Sequence, residues 1–303
     1  MESYKTIKKI DMHSHALPAI YADYFPPVYV GGCPLITDEQ VIAFYDKIGT
    51  EKGVLLPCVA AEGQMSSFPS EVIKHITVMH PDRFLWFCNV DPRARDNAPD
   101  SDLYEILAFY KSIGAKGVGE ITANIYTDDP RMENLFAACE QLDMPVTIHI
   151  ASGFKSYGIV DEPGLPRLEK MLKKYPKLKV LGHSQCFWCE MSADCSEEER
   201  GGYPTGKVIE GRIAELMRKY DNLYCDISAG SGRNAFMRDR EYAARFIAEF
   251  ADRILYGSDI CLADQKFPFK FDAFLKEMVE NGEISEENYC KIVRYNAVKL
   301  LNL

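Results

Sequence analysis

Eight short apolar runs recur along this chain, and a segment with helical spacing of its apolar residues follows each of them. That alternation limits the fold more than any other feature. Runs that are apolar on both faces suit parallel strands, and parallel strands need helical crossovers to connect them. Strands are expected at 4–12, 53–59 (GVLLPCV), 84–90 (FLWFCNV), 115–121 (AKGVGEI), 145–150 (PVTIHI), 179–182 (KVLG), 222–227 (NLYCDI) and 253–256 (RILY). Helices are expected at 37–48, 70–80, 101–113, 130–142, 165–175, 208–220, 240–250, 271–279 and 286–301. Several carry their own end signals. Thr37 is an N-cap, Asp129 caps a helix that opens on Pro130, and Gly114 stands where glycine is favoured after a C-terminus. This pattern in 303 residues points to an α/β fold of the (β/α)8 TIM-barrel type, one domain spanning 1–303. The competing open, doubly wound sheet would need a glycine-rich phosphate turn after the first strand, and none follows it.

In such a barrel the functional side chains stand at the C-terminal ends of the strands. The chain has six histidines, and four of them, His13, His15, His149 and His183, fall at the ends of strands one, five and six. His75 and His80 lie on the second helix and read as surface or packing residues. Glu120 ends strand four, and Asp259 follows strand eight. Imidazole nitrogen and carboxylate oxygen are the donors that bind Zn2+ and its neighbours. A metal there would lower the pKa of a bound water to about 7. Each residue also has a structural alternative. His149 could be a core histidine, His183 an exposed turn residue, Glu120 a partner of Lys116, and Asp259 a cap. Six metal-type residues gathered at strand ends outweigh those separate alternatives.

Composition sets the remaining bounds. A net charge of −10 argues against nucleic acid or an anionic membrane as partner, since both select basic surfaces. Residues 1–9 contain no apolar signal region, and no apolar run approaches the roughly 18 residues of a membrane span. A cytoplasmic location is therefore expected, with a small molecule as substrate. The ten cysteines are expected to be mostly reduced and buried. Cys186, Cys189 and Cys195 could make half a zinc knuckle, but no second Cys-x-x-Cys follows. The favoured reading is reduced loop cysteines beside an aromatic lid.

These residues resemble the amidohydrolase superfamily. The segments IDMHSHALP, PVTIHI, VLGHSQ, ILYGSD and NYCKIVRYNAVKLL are similar to its amidohydrolase-related branch over nearly the whole chain. The opening motif also resembles aminocarboxymuconate semialdehyde decarboxylase, whereas GVGEI is closer to hydrolases with a strand-four glutamate. The resemblance implies a metal-dependent TIM barrel with His13, His15 and Asp259 as ligands of a buried metal and Glu120 as a bridge. His149 would bind the first metal in a mononuclear site or the second in a binuclear one. His183 would be the other second-metal ligand, or a proton donor to substrate. The metal would be Zn2+, with Mn2+ also suited to these donors, as one ion or two. The leading reaction is hydrolysis of an amide, ester or lactone-like carbonyl by metal-bound hydroxide, with Asp259 and His183 as catalytic groups. The alternative is decarboxylation of an aromatic or unsaturated carboxylic acid. Assembly as a homodimer is a family-level expectation.

Long loops after strands one, six and seven should wall the substrate pocket. Residues 19–35 are expected as a loop over the site, and 184–206 as a long polar segment carrying Trp188. The stretch 228–234 is read as a glycine-rich loop holding Arg233 and Asn234. Trp188, Arg233 and Asn234 are the substrate-binding candidates, and an arginine fork, from Arg233 or Arg238, would suit a substrate carboxylate.

Overall fold

The computed structural model describes residues 3–21, 29–30, 33–66 and 69–303. Its frame is eight parallel strands: β1 (Lys9–Ser14), β2 (Thr50–Leu55), β3 (Phe84–Trp86), β4 (Val118–Ile121), β5 (Val146–Ala151), β6 (Val180–His183), β7 (Leu223–Asp226) and β8 (Ile254–Leu255). β1–β2–β3 pair in sequence, and so do β4 to β8. Two seams join the sets. A parallel bridge links Cys88 to Val118, and another links Ser14 to Ile260, with Met12 N–H donating to the Tyr256 carbonyl and Asp259 N–H to that of His13. The sheet thereby closes into a TIM barrel.

A smaller apolar cluster gathers Ile10, Met12, Val54, Leu56, Phe87, Leu181 and Leu255 from five strands or their ends, with Ala297 and Leu301 of the last helix packed on it. The larger cluster takes the other strand positions together with the apolar stripes of the helices. Two glycines make room for neighbouring rings, one on the helix Gln185–Cys189 and one at the end of β3. A Cβ on Gly182 would meet the Phe187 ring at 2.2 Å, and one on Gly117 would meet Phe87 at 2.5 Å.

The helices that face the barrel include α1 (Asp38–Ile48), α2 (Ser70–Met79), α3 (Leu103–Ser112), α4 (Pro130–Gln141), α5 (Pro166–Lys174), α6 (Gln185–Cys189), α7 (Arg212–Lys219), α8 (Ala229–Met237), α9 (Arg240–Phe250) and α10 (Phe267–Glu280). Thr37 closes a full capping box with Gln40, and Asp129 accepts from Arg131 N–H ahead of Pro130. Glu286–Cys290, a π-turn at Lys291–Tyr295 and Asn296–Leu301 end the chain. Among the described residues no helix is long and apolar enough to cross a membrane.

Four expectations change. β1 begins at Lys9 rather than at residue 4, because residues 3–7 form a turn closed by Thr6 and Ile7 N–H on the Ser3 carbonyl. The stretch 228–234 is not a loop but the start of α8. Its glycines serve packing: a Cβ on Gly232 would lie 2.3 Å from the Ile227 carbonyl oxygen. The polar segment after β6 opens with a buried helix, α6. Cys189 and Cys195 are not reduced loop cysteines but form a disulfide, their Cα atoms 5.7 Å apart across the turn that follows α6. The zinc-knuckle alternative loses two of its sulfurs by the same bond. Of the expected loop 19–35, residues 22–28 and 31–32 lie outside the described set.

Candidate metal centre and active site

The expected residues converge at the C-terminal mouth of the barrel. β1 delivers His13, and the chain just past it delivers His15. The β1 register shifts between Asp11 and Ser14, so strict alternation is interrupted within that stretch. β4 supplies Glu120. β5 and β6 pair with His149 directly opposite His183, which places those two imidazoles side by side. Past β8, Asp259 turns in with a φ of +52°, a left-handed conformation that costs a non-glycine residue about 1 kcal/mol or more and is typical of functional positions.

Two imidazoles form the heart of the cluster. His13 Nδ1 faces Asp226 Oδ2 at 2.5 Å, and His15 Nδ1 faces the Leu56 carbonyl at 2.8 Å. Both Nδ1 atoms are thus N–H donors to oxygen, which leaves the Nε2 lone pairs to meet each other at 3.1 Å. Asp259 Oδ1 lies 3.5 Å from His13 Nε2 and 3.3 Å from His15 Nε2. Glu120 Oε2 lies 3.9 and 3.8 Å from the same two atoms. Four acceptor atoms so gathered repel one another unless a cation or protons stand between them. Ligands bonded at about 2.1 Å to a tetrahedral ion are about 3.4 Å apart, a spacing that the observed distances bracket. The residues present therefore fit a divalent metal, and the sets His13–His15–Asp259 and His13–Glu120–His183 each bring ligand atoms within 4.8 Å.

The other oxygen of Glu120 serves a second lobe. Oε1 lies 2.6 Å from His149 Nδ1 and 3.7 Å from His183 Nε2. Burial pushes the Glu120 carboxyl up, but the His149, His13 and His183 imidazoles outweigh it and hold it well below the usual carboxylate range. His183 balances the same way. Burial lowers it, yet Asp226 and then Glu120 raise it above an ordinary histidine. Its Nδ1 lies 3.0 Å from Ser228 Oγ and 3.4 Å from Asp226 Oδ2. Asp259 is held low, since His15 and His13 overcome its burial.

The family with which the chain shares its pattern is the one described as Amidohydrolase, which matches residues 71–303. The chain belongs to the amidohydrolase family. Among solved structures, an amidohydrolase from Burkholderia multivorans aligns at a TM-score of 0.64 with 12% identity, covering 98% of this chain and 100% of that one. A dihydroxybenzoic acid decarboxylase from Polaromonas sp. JS666, with bound manganese and the inhibitor 2-nitroresorcinol, aligns at 0.60 with 18% identity, covering 98% and 97%. A probable 2-pyrone-4,6-dicarboxylic acid hydrolase from Acinetobacter baumannii, with citric acid bound, aligns at 0.57 with 14% identity, covering 98% and 100%. At these identities the likeness is one of fold. No curated protein matches the chain significantly.

The expected substrate residues of this amidohydrolase family member lie on α6 and α8. Trp188 is buried against Phe187 and Phe236, and its indole N–H donates to the Asp226 carbonyl at 3.1 Å. Asn234 donates from Nδ2 to the Pro204 carbonyl at 2.9 Å. Arg233 is half-buried on α8. Arg238, just past that helix, keeps Nε and one terminal nitrogen buried without a hydrogen-bond partner among the described residues.

Sequence reasoning missed three residues of the site. Asp226 ends β7, is fully buried, and touches both His13 and His183. Cys58 stands just past β2, with Sγ 3.8 Å from Glu120 Oε2. Tyr157 packs edge-on to the His149 ring at 4.8 Å and remains 41% exposed, so it borders the mouth from the solvent side. Asp226 and Cys58 carried the signal used for the others, a metal-type side chain at a strand end.

Proposed function

We propose that this protein is a metal-dependent hydrolase of a small, carboxylate-bearing substrate with an amide, ester or lactone-like carbonyl. The observation that carries the proposal is Glu120, whose two oxygens face different histidine pairs, as a bridge between two ions requires. His13, His15, Asp259 and Glu120 would hold one ion, and Glu120, His183 and His149 the other. Zn2+ suits this donor set, and Mn2+ suits it too. A bound metal would polarise the carbonyl and acidify a water. Asp259, whose Oδ1 stands beside His13 and His15, would accept a proton from the attacking water and return it to the leaving group. Arg233 would orient the substrate carboxylate as a two-pronged donor. The same proposal takes the protein to be a cytoplasmic homodimer acting on small molecules; its net charge of −10 argues only against nucleic acid and anionic membrane as partners.

A second reading rests on His183. Its Nδ1 is engaged by Ser228 and Asp226, its Nε2 faces the cluster, and its affinity for a proton is raised. Such an imidazole suits a decarboxylase, where it would deliver the proton that replaces carbon dioxide. The test is to offer Zn2+- and Mn2+-loaded protein a panel of carboxylate-bearing lactones, esters and amides together with hydroxybenzoates and unsaturated acids. Ring opening or chain cleavage that His13→Ala abolishes supports the hydrolase. Carbon dioxide release alone, equally sensitive to His13→Ala, replaces it with the decarboxylase.

A further inference from the structure

The end of β2 is tied to the metal cluster residue by residue. The Leu56 carbonyl accepts from His15 Nδ1 at 2.8 Å. The Pro57 carbonyl accepts from Glu120 N–H and from Asn89 Nδ2, each at 3.1 Å. Asn89 Nδ2 also donates to the Glu120 carbonyl at 2.5 Å, so one buried amide pins the two segments together. Cys58 comes next. Its Sγ lies 3.8 Å from Glu120 Oε2, the oxygen that also faces His15 Nε2, and 3.7 Å from His15 Nδ1, the ring nitrogen turned to the Leu56 carbonyl and not the ligating one; the side chain is neither sealed in nor fully open. With a metal–sulfur bond of about 2.3 Å and a metal–oxygen bond of about 2.1 Å, sulfur and oxygen on one tetrahedral ion are about 3.6 Å apart. The observed Cys58–Glu120 separation is within a few tenths of an ångström of that, and His15, Cys58 and Glu120 bring ligand atoms within 4.8 Å of one another.

We propose that Cys58 is a thiolate ligand of the metal shared by His15 and Glu120, making the centre a mixed sulfur, nitrogen and oxygen site. The inference rests on the metal-dependent reading above and adds a donor that reading does not use. On binding, the thiol S–H bond breaks, its proton passes to solvent, and the sulfur lone pair forms the bond to the metal with no change of oxidation state. The pinned backbone of residues 56–58 means that little ordering remains to be done when the ion arrives. A sulfur donor also shifts preference from Mn2+ towards Zn2+ and Co2+, which accept soft ligands more readily.

Cobalt titration of apoprotein tests this without any substrate. Wild-type protein should develop visible d–d bands and, in parallel, near-ultraviolet sulfur-to-cobalt charge-transfer absorption. Cys58→Ser should keep the d–d bands, lose the charge-transfer band, and bind Zn2+ about tenfold or more weakly, at least the cost of losing an outer-shell partner. Cys261→Ser should leave the charge-transfer band intact. A wild-type cobalt complex with d–d bands but no sulfur band overturns the ligand assignment while leaving the metal centre standing, and this needs no variant to fold. Retention of the band in Cys58→Ser overturns it equally. Failure of cobalt and zinc to bind at all overturns the metal reading itself, and this inference with it.

Discussion

Asp226 offers the sharpest test of how the centre is built. One oxygen, Oδ2, serves His13 Nδ1 at 2.5 Å and lies 3.4 Å from His183 Nδ1, while Oδ1 accepts Ser228 N–H at 2.9 Å. Burial pushes this carboxyl up, but His13 and His183 outweigh it and hold it ionised. Asp226→Asn keeps the shape and removes the charge. Its amide has one oxygen for two demands. With NH2 towards the histidines, His13 must accept at Nδ1 and carry its proton on Nε2, the atom that faces His15 and Asp259, and it can no longer ligate. With NH2 towards Ser228, two N–H groups confront each other, and an unsatisfied buried donor costs about 1–3 kcal/mol. Either way the first metal should bind about 10–100-fold more weakly, the usual cost of losing an outer-shell carboxylate, or about 1.4–2.8 kcal/mol. The assay is calorimetric Zn2+ titration of apoprotein against a competing chelator, with circular dichroism to confirm the fold. Asp226→Glu should recover part of the loss. A Zn2+ affinity within threefold of wild type in a folded Asp226→Asn protein would refute the reasoning that this carboxylate sets the tautomer of His13.

Other outcomes follow from the same structure. Elemental analysis should find about two metal equivalents per chain falling towards one in Glu120→Ala, since a bridge supports both lobes; one equivalent in both proteins would remove Glu120 from the bridging role. Arg93 binds Glu62 through two hydrogen bonds of 2.6 and 2.7 Å and pulls its carboxyl from the usual 4.5 to about 2. Because that pKa is lower in the folded state, the pair's stabilisation is present above pH 4.5 and is lost as pH falls from there towards 2. Glu62→Gln should therefore cost about 0.5–1 kcal/mol at pH 7 for this partly exposed pair, and the difference from wild type should vanish in the acid limb of a pH series of melting curves. Cys195→Ser, or a thiol reductant on wild type, should cost about 2 kcal/mol by the loop-closure entropy of a six-residue separation, read from urea midpoints; equal midpoints with and without reductant would deny the bond a stabilising role.

Much of the fold was readable because the two periodicities are clean. Strand runs such as PVTIHI are buried on both faces, and the Thr37 and Asp129 caps sit where their side chains predict. Closure was expected from the count of eight βα units, but the contacts that make the seams, the bridges at Cys88 and Ser14 and the backbone hydrogen bonds beside them, leave no pattern of their own in sequence. The start of α8 was hidden by Gly230 and Gly232, which normally argue for a loop. Here they let the helix approach Ile227 and Tyr203, a tertiary demand that no local propensity encodes. In the site, histidines drew attention because they are few. Asp226 and Cys58 also stand at strand ends but belong to commoner classes in this chain, and their contacts with His13, His15 and Glu120 single them out. The disulfide escaped for a similar reason: spacing alone does not say which of ten cysteines approach.

The metal cluster also bears on how the protein is made. Asp11 accepts from the N–H and hydroxyl of Ser258, 247 residues later, and His13 and Asp259 meet across the same seam. A ribosome delivers the first two histidines long before their carboxylate partner. On the metal-dependent reading, His13 and His15 would be only a bare, weak chelating pair for most of synthesis, and the full donor set would exist only once the last strand docks against the first. Loading of an ion would then act as a checkpoint on completed closure, and a nascent chain halted before residue 259 would leave its earliest donors without the carboxylate across the seam.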